Sequence, residues 1–265
     1  MLPTVAIITI TRARPVELLR CIESVRNQQY RGGIRHVIVV DDHDAMPAVS
    51  AAVGDIEGLE LRLIETSKLY DRFDEVYIPS RLAFLRNCGI DSCASDVICY
   101  LDDDNYMDPD HVQRLVETLL SDSSTAVAFS WRRLCLPNGD PYLRPEYPWT
   151  PDARLAIGRP QLSKYIYEEL VAGGIRTPGS NIVRDAVLDS RGIAVYTVDT
   201  NEMMYWRSLH ATYPNVVRYS WREMVGDFSD DYALVRRWHT DGVIIVPTRR
   251  ATVTYTVGGV SNSDA

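Results

Sequence analysis

The chain has 265 residues, enough to bury a substantial core as one large domain or two closely joined lobes. A formal net charge of -8 argues against nonspecific attachment to nucleic acid or an anionic membrane. No apolar run approaches the roughly 20 residues that span a bilayer, and the opening Met1-Leu2-Pro3-Thr4-Val5 lacks the basic and hydrophobic regions of a signal peptide. The cysteines (Cys21, Cys88, Cys93, Cys99, Cys135) are odd in number and show no C-x-x-C spacing, so they read as buried free thiols in a reducing cytoplasm.

Taken in order, residues 4–11 form a continuous β-branched run, the pattern of a strand buried on both faces. Pro15 suits the first turn of a helix running to about Gln29, with Val16, Leu19, Ile22 and Val25 at helical spacing. A second buried strand, residues 35–40, ends at Asp41-Asp42, and the three elements read as a right-handed βαβ unit. A helix over 45–53 and a strand over 59–64 extend the sheet. Residues 67–80 show no period and read as a long loop over one sheet edge, a candidate to close over a site. A helix over 80–95, with Leu82, Leu85, Cys88 or Gly89, and Ile90 on one face, feeds a strand over 97–101.

That strand runs into Asp102-Asp103-Asp104, three carboxylates at a strand end, where like charges repel and a divalent cation is the economical offset. Asp108 or Asp110 reads as the cap of a helix from about 109 to 120, and a strand follows over 125–130. Residues 131–176 turn rich in proline and aromatics around a helix over 161–171. With no low-complexity linker, the chain divides into a first half, 1–130, and a second lobe, 131–265, elaborated on the same domain. The closing run from Asp230 to Gly242 reads as a helix stopped by glycine, with strands over 243–246 and 252–256 behind it.

In an open parallel α/β sheet, ligands bind outside the carboxyl ends of the strands. Three strands here end in polar residues: 9–14, Asp41-Asp42 and 102–104. If they are parallel neighbours, they form one site. Asp42 could accept a hydrogen bond from the N3-H of a pyrimidine, and Thr9 and Thr11 could serve base or ribose. Arg14, Arg72, Arg81 and Arg86 are candidate phosphate ligands, each also open to surface ion pairing. Thr9-Ile10-Thr11-Arg12-Ala13-Arg14-Pro15 matches neither a dinucleotide fingerprint nor a P-loop, which leaves phosphate neutralisation to metal and arginine.

At this point the chain resembles family 2 of the inverting, metal-dependent glycosyltransferases with the glycosyltransferase-A fold. The opening 5–12, residues 18–30, 37–42, Arg86-Asn87-Cys88-Gly89-Ile90 and the D-x-D-like Leu101-Asp102-Asp103-Asp104-Asn105 occur in that family's order. The continuation through Tyr106-Met107 is similar to spore-coat polysaccharide members. Gly179-Ser180-Asn181-Ile182-Val183-Arg184 resembles an acceptor-side strand, and residues 230–237 resemble the E-D-x-x-L-x-x-R helix with Asp230 in place of Glu.

The resemblance implies a single Rossmann-like α/β domain with a mostly parallel mixed sheet. Its first half would bind a nucleotide diphosphate sugar, by the family's habit a UDP-sugar, and its second would take a hydroxyl-bearing acceptor. Asp42 would read the base with Thr9 beside it, Asp102 or Asp103 would meet ribose or sugar, and Asp104 would ligate Mn²⁺ or Mg²⁺, with Asp102 as a further ligand. Asp231 would be the catalytic base. Asp199 and Glu202 compete for that role but also read as a cap with first-turn acid. Trp131, Trp149, Trp206 and Trp221 could stack on an acceptor ring or belong to the core. A homo-oligomer is left open. The rival readings are a sugar nucleotidyltransferase, which should carry a glycine-rich loop after the first strand, a receiver-like domain, whose chain is about half this length, and an inactive sugar-nucleotide-binding protein.

Overall fold

A computed structural model describes residues 1–12, 14–41, 43–54, 56, 59–64, 77–149, 160–226 and 228–258. Continuous hydrophobic runs supply inner strands of one mixed sheet with helices on both sides, and runs that alternate with polar residues supply others. The strands are β1 (Val5–Thr11), β2 (Ile34–Asp41), β3 (Leu59–Ile64), β4 (Val97–Tyr100), β5 (Tyr106–Met107), β6 (Val127–Cys135), β7 (Ile182–Val183), β8 (Met203–Trp206) and β9 (Ile245–Thr256). Their order is β3-β2-β1-β4-β8-β6-β9-β5, with β7 on β6. β1, β2, β3 and β4 pair in parallel. β8 is antiparallel to β4 and β6, whereas β9 runs parallel to β6.

β1 shows why the sheet needs two helical layers. Its alternate residues Ala6 and Ile8 enter one core with Leu85, Ile90, Leu234 and Trp238, while Val5 and Ile7 enter another with Cys21, Val25, Leu115 and Leu119. The helices that supply these partners are α1 (Pro15–Arg26), α3 (Ile78–Asp91), α4 (His111–Leu120) and α8 (Asp230–Thr240). Between them in the chain lie α2 (Met46–Val53), α5 (Pro160–Ala172), α6 (Arg207–Thr212) and α7 (Trp221–Val225). Gly89 lets α3 lie close on β1 and β2, because a Cβ there would meet Ile8 Cγ2 at 2.7 Å and Val39 Cγ2 at 2.9 Å.

Several expectations shift. α1 buries Leu18, Cys21, Ile22 and Val25, leaving Val16 and Leu19 exposed, so its inner face is rotated from the expected one. α4 starts at His111, and neither Asp108 nor Asp110 caps it with a side chain: their carboxylates take Arg133 and Arg114 instead. β6 continues beyond residue 130 through Arg132 to Cys135, so the boundary between the two halves falls inside a strand. The two closing strands are one, β9, whose register against β6 shifts around Trp131 and whose Arg249 has φ 57°. α8 ends as expected: Gly242, at φ 75°, donates to the His239 carbonyl and Val243 to that of Trp238, a Schellman closure. All five cysteines are free and, apart from half-buried Cys88, buried. Among the described residues, no helix is long and apolar enough to cross a membrane.

Candidate active site

The polar strand ends do meet. Parallel pairing of β1 with β2 and β4 brings Thr11, Asp41 and Asp102 to one edge of the sheet. Strand order reverses between β1 and β4, where an open α/β sheet leaves a crevice.

At the end of β4 the three aspartates face different partners. Asp103 is fully buried: Thr11 donates its hydroxyl to Oδ2 at 2.7 Å, and Arg14 Nη2 lies 2.5 Å from Oδ1. Asp104 Oδ2 accepts from Arg14 Nη1 at 2.7 Å. Burial pushes the Asp103 carboxyl up to about 7 against the pull of Arg14, and it raises Asp104 in the same way. Asp102 is the open member, its side chain about one-third exposed at 32%. Its Oδ1 takes Arg86 Nη2 at 3.1 Å and its Oδ2 takes Asn201 Nδ2 at 2.8 Å.

Arg86, 4% exposed on α3, joins this strand end to α8. Besides Asp102 it donates to Asp230, at the first position of α8, and to Thr200 Oγ1 at 3.2 Å. The next residue, Asp231, keeps part of its surface open although protein surrounds it deeply. Its Oδ1 accepts the Tyr232 amide at 2.7 Å at a helix N-terminus capped by Ser229. Burial, and then the negative charge of Asp199, push the Asp231 carboxyl up to about 6.

On the other side of Asp231, Arg132 lies buried on β6 among three carboxylates. Nη1 meets Asp199 Oδ2 at 2.7 Å, Nη2 meets Asp185 Oδ1 at 3.1 Å and Nε lies 3.4 Å from Glu202 Oε1. The guanidinium stacks 4.5 Å from the Trp149 ring, with Tyr255 beyond at 5.5 Å. Glu202 is wholly buried and Asp185 nearly so, and burial raises both carboxyls, that of Glu202 the further of the two. Asp199 and Glu202 close a capping box around the turn Thr200–Glu202. Glu202 is therefore a structural acid with no open face.

Thr9 is fully buried. Its hydroxyl donates to the Leu101 carbonyl at 2.6 Å, which obliges His36, at 2.9 Å, to donate from Nε2. Burial takes His36 down to about 3, so the ring is neutral. Thr9 thus ties β1 to β4 and β2 within the core. Arg81 donates to Asp41 Oδ1 from Nε at 3.1 Å and Nη2 at 2.7 Å, at the end of β2. Asp42 and Arg72 lie outside the described residues, as does nearly all of the expected closing loop. Trp149 alone of the four candidate tryptophans stacks within this cluster; Trp206 donates to the Thr125 carbonyl, Trp221 is 75% exposed and Trp131 lies against Arg184. Three members were not anticipated: Arg20, which donates to the Asp104 carbonyl at 2.8 Å, Arg132 and Asn201. The adjacent arginines Arg132-Arg133 inside an apolar strand are the signal for Arg132, and Asn201 has none.

The carboxylate oxygens of Asp102 and Asp104 are hard donors suited to Mg²⁺ or Mn²⁺. Burial, and after it the neighbouring aspartates, raise the Asp103 and Asp104 carboxyls against the pull of Arg14. Among the described residues, no group of three metal-ligating side chains converges. A phosphate-bound Mg²⁺ commonly rests on one or two carboxylates, so the donor set fits such an ion.

Residues 5–170, more than half of the chain, match the family described as glycosyl transferase family 2. The chain belongs to that family. The succinoglycan biosynthesis protein ExoM of Rhizobium meliloti (strain 1021) is 30% identical over 126 residues, a stretch covering 46% of this family 2 chain and 36% of that protein. Residues 1–349 of S. aureus TarS in complex with UDP superpose with a TM-score of 0.58 at 12% identity, over 96% of this chain and 60% of that one. The mannosyltransferase PcManGT from Pyrobaculum calidifontis, in complex with GDP-Man and Mn2+, gives 0.59 at 12% identity, over 99% and 59%. These structural likenesses are of fold, and the chain spans about 60% of the length of those structures.

Proposed function

We propose that this family 2 chain is a metal-dependent, inverting glycosyltransferase that moves a sugar from a nucleotide diphosphate sugar, with UDP as the carrier, to an acceptor hydroxyl. One observation carries the reading. Arg86 joins Asp102, the open carboxylate of the β4 end, to Asp230, next to the part-open Asp231 whose carboxyl stands at about 6. A donor held at the strand end would therefore sit beside a group suited to remove a proton near neutral pH.

In this reading residues 1–130 hold the donor, with Asp102 receiving ribose or sugar hydroxyls and Arg14, one-third exposed, meeting the diphosphate. Asp104 and Asp102 would hold Mn²⁺ or Mg²⁺, and Asp103 keeps Arg14 and Thr11 in place behind them. When bound, the cation supplies Lewis-acid stabilisation of the departing diphosphate. Asp42 is assigned to the base, and Arg81 and Arg86 flank the donor from α3. Residues 131–265 hold the acceptor. Asp231 takes the acceptor proton as that oxygen attacks the anomeric carbon from the face opposite the nucleotide, which leaves with the bonding pair. General-base help of this kind is worth about 10² to 10⁴ in rate. The 103–107 run supports a likeness to spore-coat polysaccharide members, and five unpaired thiols support a cytoplasmic setting.

Calorimetry with UDP, with GDP as comparator, in the presence of Mn²⁺ and after chelation tests the site. Tight binding of one nucleotide that disappears with EDTA is expected. Binding indifferent to metal would overturn the metal assignment, and no binding of either nucleotide would overturn the donor site. The stereochemistry of the product, read by NMR from a turned-over sugar nucleotide, tests inversion.

A further inference from the structure

Asn201 is fully buried, and although its main-chain amide serves the Asp199 cap, neither that cap nor the sheet requires its side-chain amide. Its side chain grips Asp102 twice: Oδ1 accepts the Asp102 main-chain amide at 2.6 Å, and Nδ2 donates to Asp102 Oδ2 at 2.8 Å. The second Nδ2 hydrogen goes to Asp199 Oδ1 at 2.6 Å. Only one orientation of the amide serves this arrangement, since the reverse would set an amide against an amide and an oxygen against two carboxylates. Asp199 is in turn fixed by Arg132 at 2.7 Å and by the Asn201 amide at 3.0 Å.

The consequence is a rigid line from one side of the site to the other. Asp102 has both oxygens committed, to Arg86 and to Asn201, while its side chain stays about one-third open at 32%. A carboxylate clamped in one plane presents its remaining lone pairs in fixed directions, which spares a hydroxyl-bearing ligand the cost of ordering it. The bridging residue must also be neutral. An aspartate at 201 would place three carboxylates in a row, and an aliphatic side chain would strand an amide and two carboxylates in a buried place.

We propose that Asn201 is a positioning residue of the transfer reaction, holding Asp102 in its donor-binding orientation and, through the same amide, fixing Asp199 beside the Asp231 helix. This rests on the donor site proposed above. A residue that only filled space would alter stability and leave ligand affinity alone.

The test is UDP binding by calorimetry with Mn²⁺, together with donor KM and kcat, for wild type, Asn201→Ser and the isosteric Asn201→Asp. Loss of such a supporting contact typically weakens a site by about 10- to 100-fold. The expected result is a UDP Kd raised at least about tenfold in Asn201→Ser, a larger loss in Asn201→Asp, and an unchanged acceptor KM. A variant with a lowered Tm but wild-type UDP affinity and donor KM would overturn the proposal. Wild type that binds neither UDP nor GDP would instead overturn the donor site. Should neither variant fold, amide hydrogen exchange of wild type decides: the Asp102 amide should exchange more slowly once UDP and Mn²⁺ are added, and no change on saturation refutes the clamp.

Discussion

Asp231→Asn should make the protein inactive and more stable at once. The Asp231 carboxyl stands at about 6, against an ordinary value of 3.8, because burial and the nearby Asp199 charge disfavour the anion more than Ser229 and the Tyr232 amide favour it. The folded state therefore holds this proton more tightly than the unfolded chain does. Stability is penalised as pH rises through that interval: nothing is lost below about pH 4, and the full penalty applies above about pH 6. At about 1.4 kcal/mol for each pKa unit the penalty approaches 3 kcal/mol, and solvent on the open side of Asp231 reduces it to about 2 kcal/mol. Asparagine keeps an oxygen for the Tyr232 amide and carries no charge. Denaturant unfolding at pH 7.5 should show Asp231→Asn more stable by about 2 kcal/mol, or roughly 5 °C in Tm for a chain of this size, with no difference at pH 4. Wild-type kcat should fall about tenfold per unit below pH 6. A variant that is less stable than wild type at pH 7.5, or that transfers sugar at full rate, refutes the assignment.

Thr9→Val should cost about 1–3 kcal/mol, because it leaves the Leu101 carbonyl and the His36 N–H without their buried partner; UDP affinity should be unchanged, and weakened binding at unchanged stability would return Thr9 to the donor. Gly89→Ala should destabilise by about 1–3 kcal/mol through the clash with Ile8 and Val39 in a chemical denaturation series. Arg132→Met leaves Asp185, Asp199 and Glu202 without their cation, and should cost about 3–5 kcal/mol at pH 7. That loss should shrink as pH falls, because burial raises the Asp185 carboxyl toward its neutral form, and a loss independent of pH would show that packing against Trp149 dominates.

What could be read from the sequence was local. β1, β2 and β4 are built mainly of apolar residues and lead into polar ones, so these strands, their parallel arrangement and a common ligand edge all follow from patterns a few residues long. The Asp199–Glu202 capping box and the glycine stop of α8 are likewise short-range chemistry. In sequence Pro247 and the charged Arg249-Arg250 separate two apolar stretches of β9, although pairing with β6 carries the strand through, with Arg249 left-handed at the irregularity. β6 was cut short at Trp131-Arg132-Arg133 for a similar reason. A charged residue inside a strand looks like its end unless the counter-charges are known, and those of Arg132 lie 53 positions further on at Asp185 and beyond. The Arg86–Asp230 bridge spans 144 positions, a distance at which hydrophobic periodicity carries no information.

The same long-range contacts explain why so acidic a site can exist before any ligand arrives. Arg14 serves Asp103 and Asp104, Arg86 serves Asp102 and Asp230, and Arg132 serves Asp185, Asp199 and Glu202. Each of these three guanidiniums faces at least two carboxyls. Burial first, and neighbouring carboxylates after it, push the Asp103 carboxyl up to about 7 and that of Asp231 up to about 6, and raise Asp104, Asp185 and Glu202. Accompanying positive charge favours the approach of an anionic nucleotide to acidic surface. In the proposed reading a divalent cation held by Asp104 and Asp102 would bring that charge to the strand end. It does so at the far side of Arg86 and Asn201 from Asp231, which leaves the base free to keep the proton affinity its own task requires.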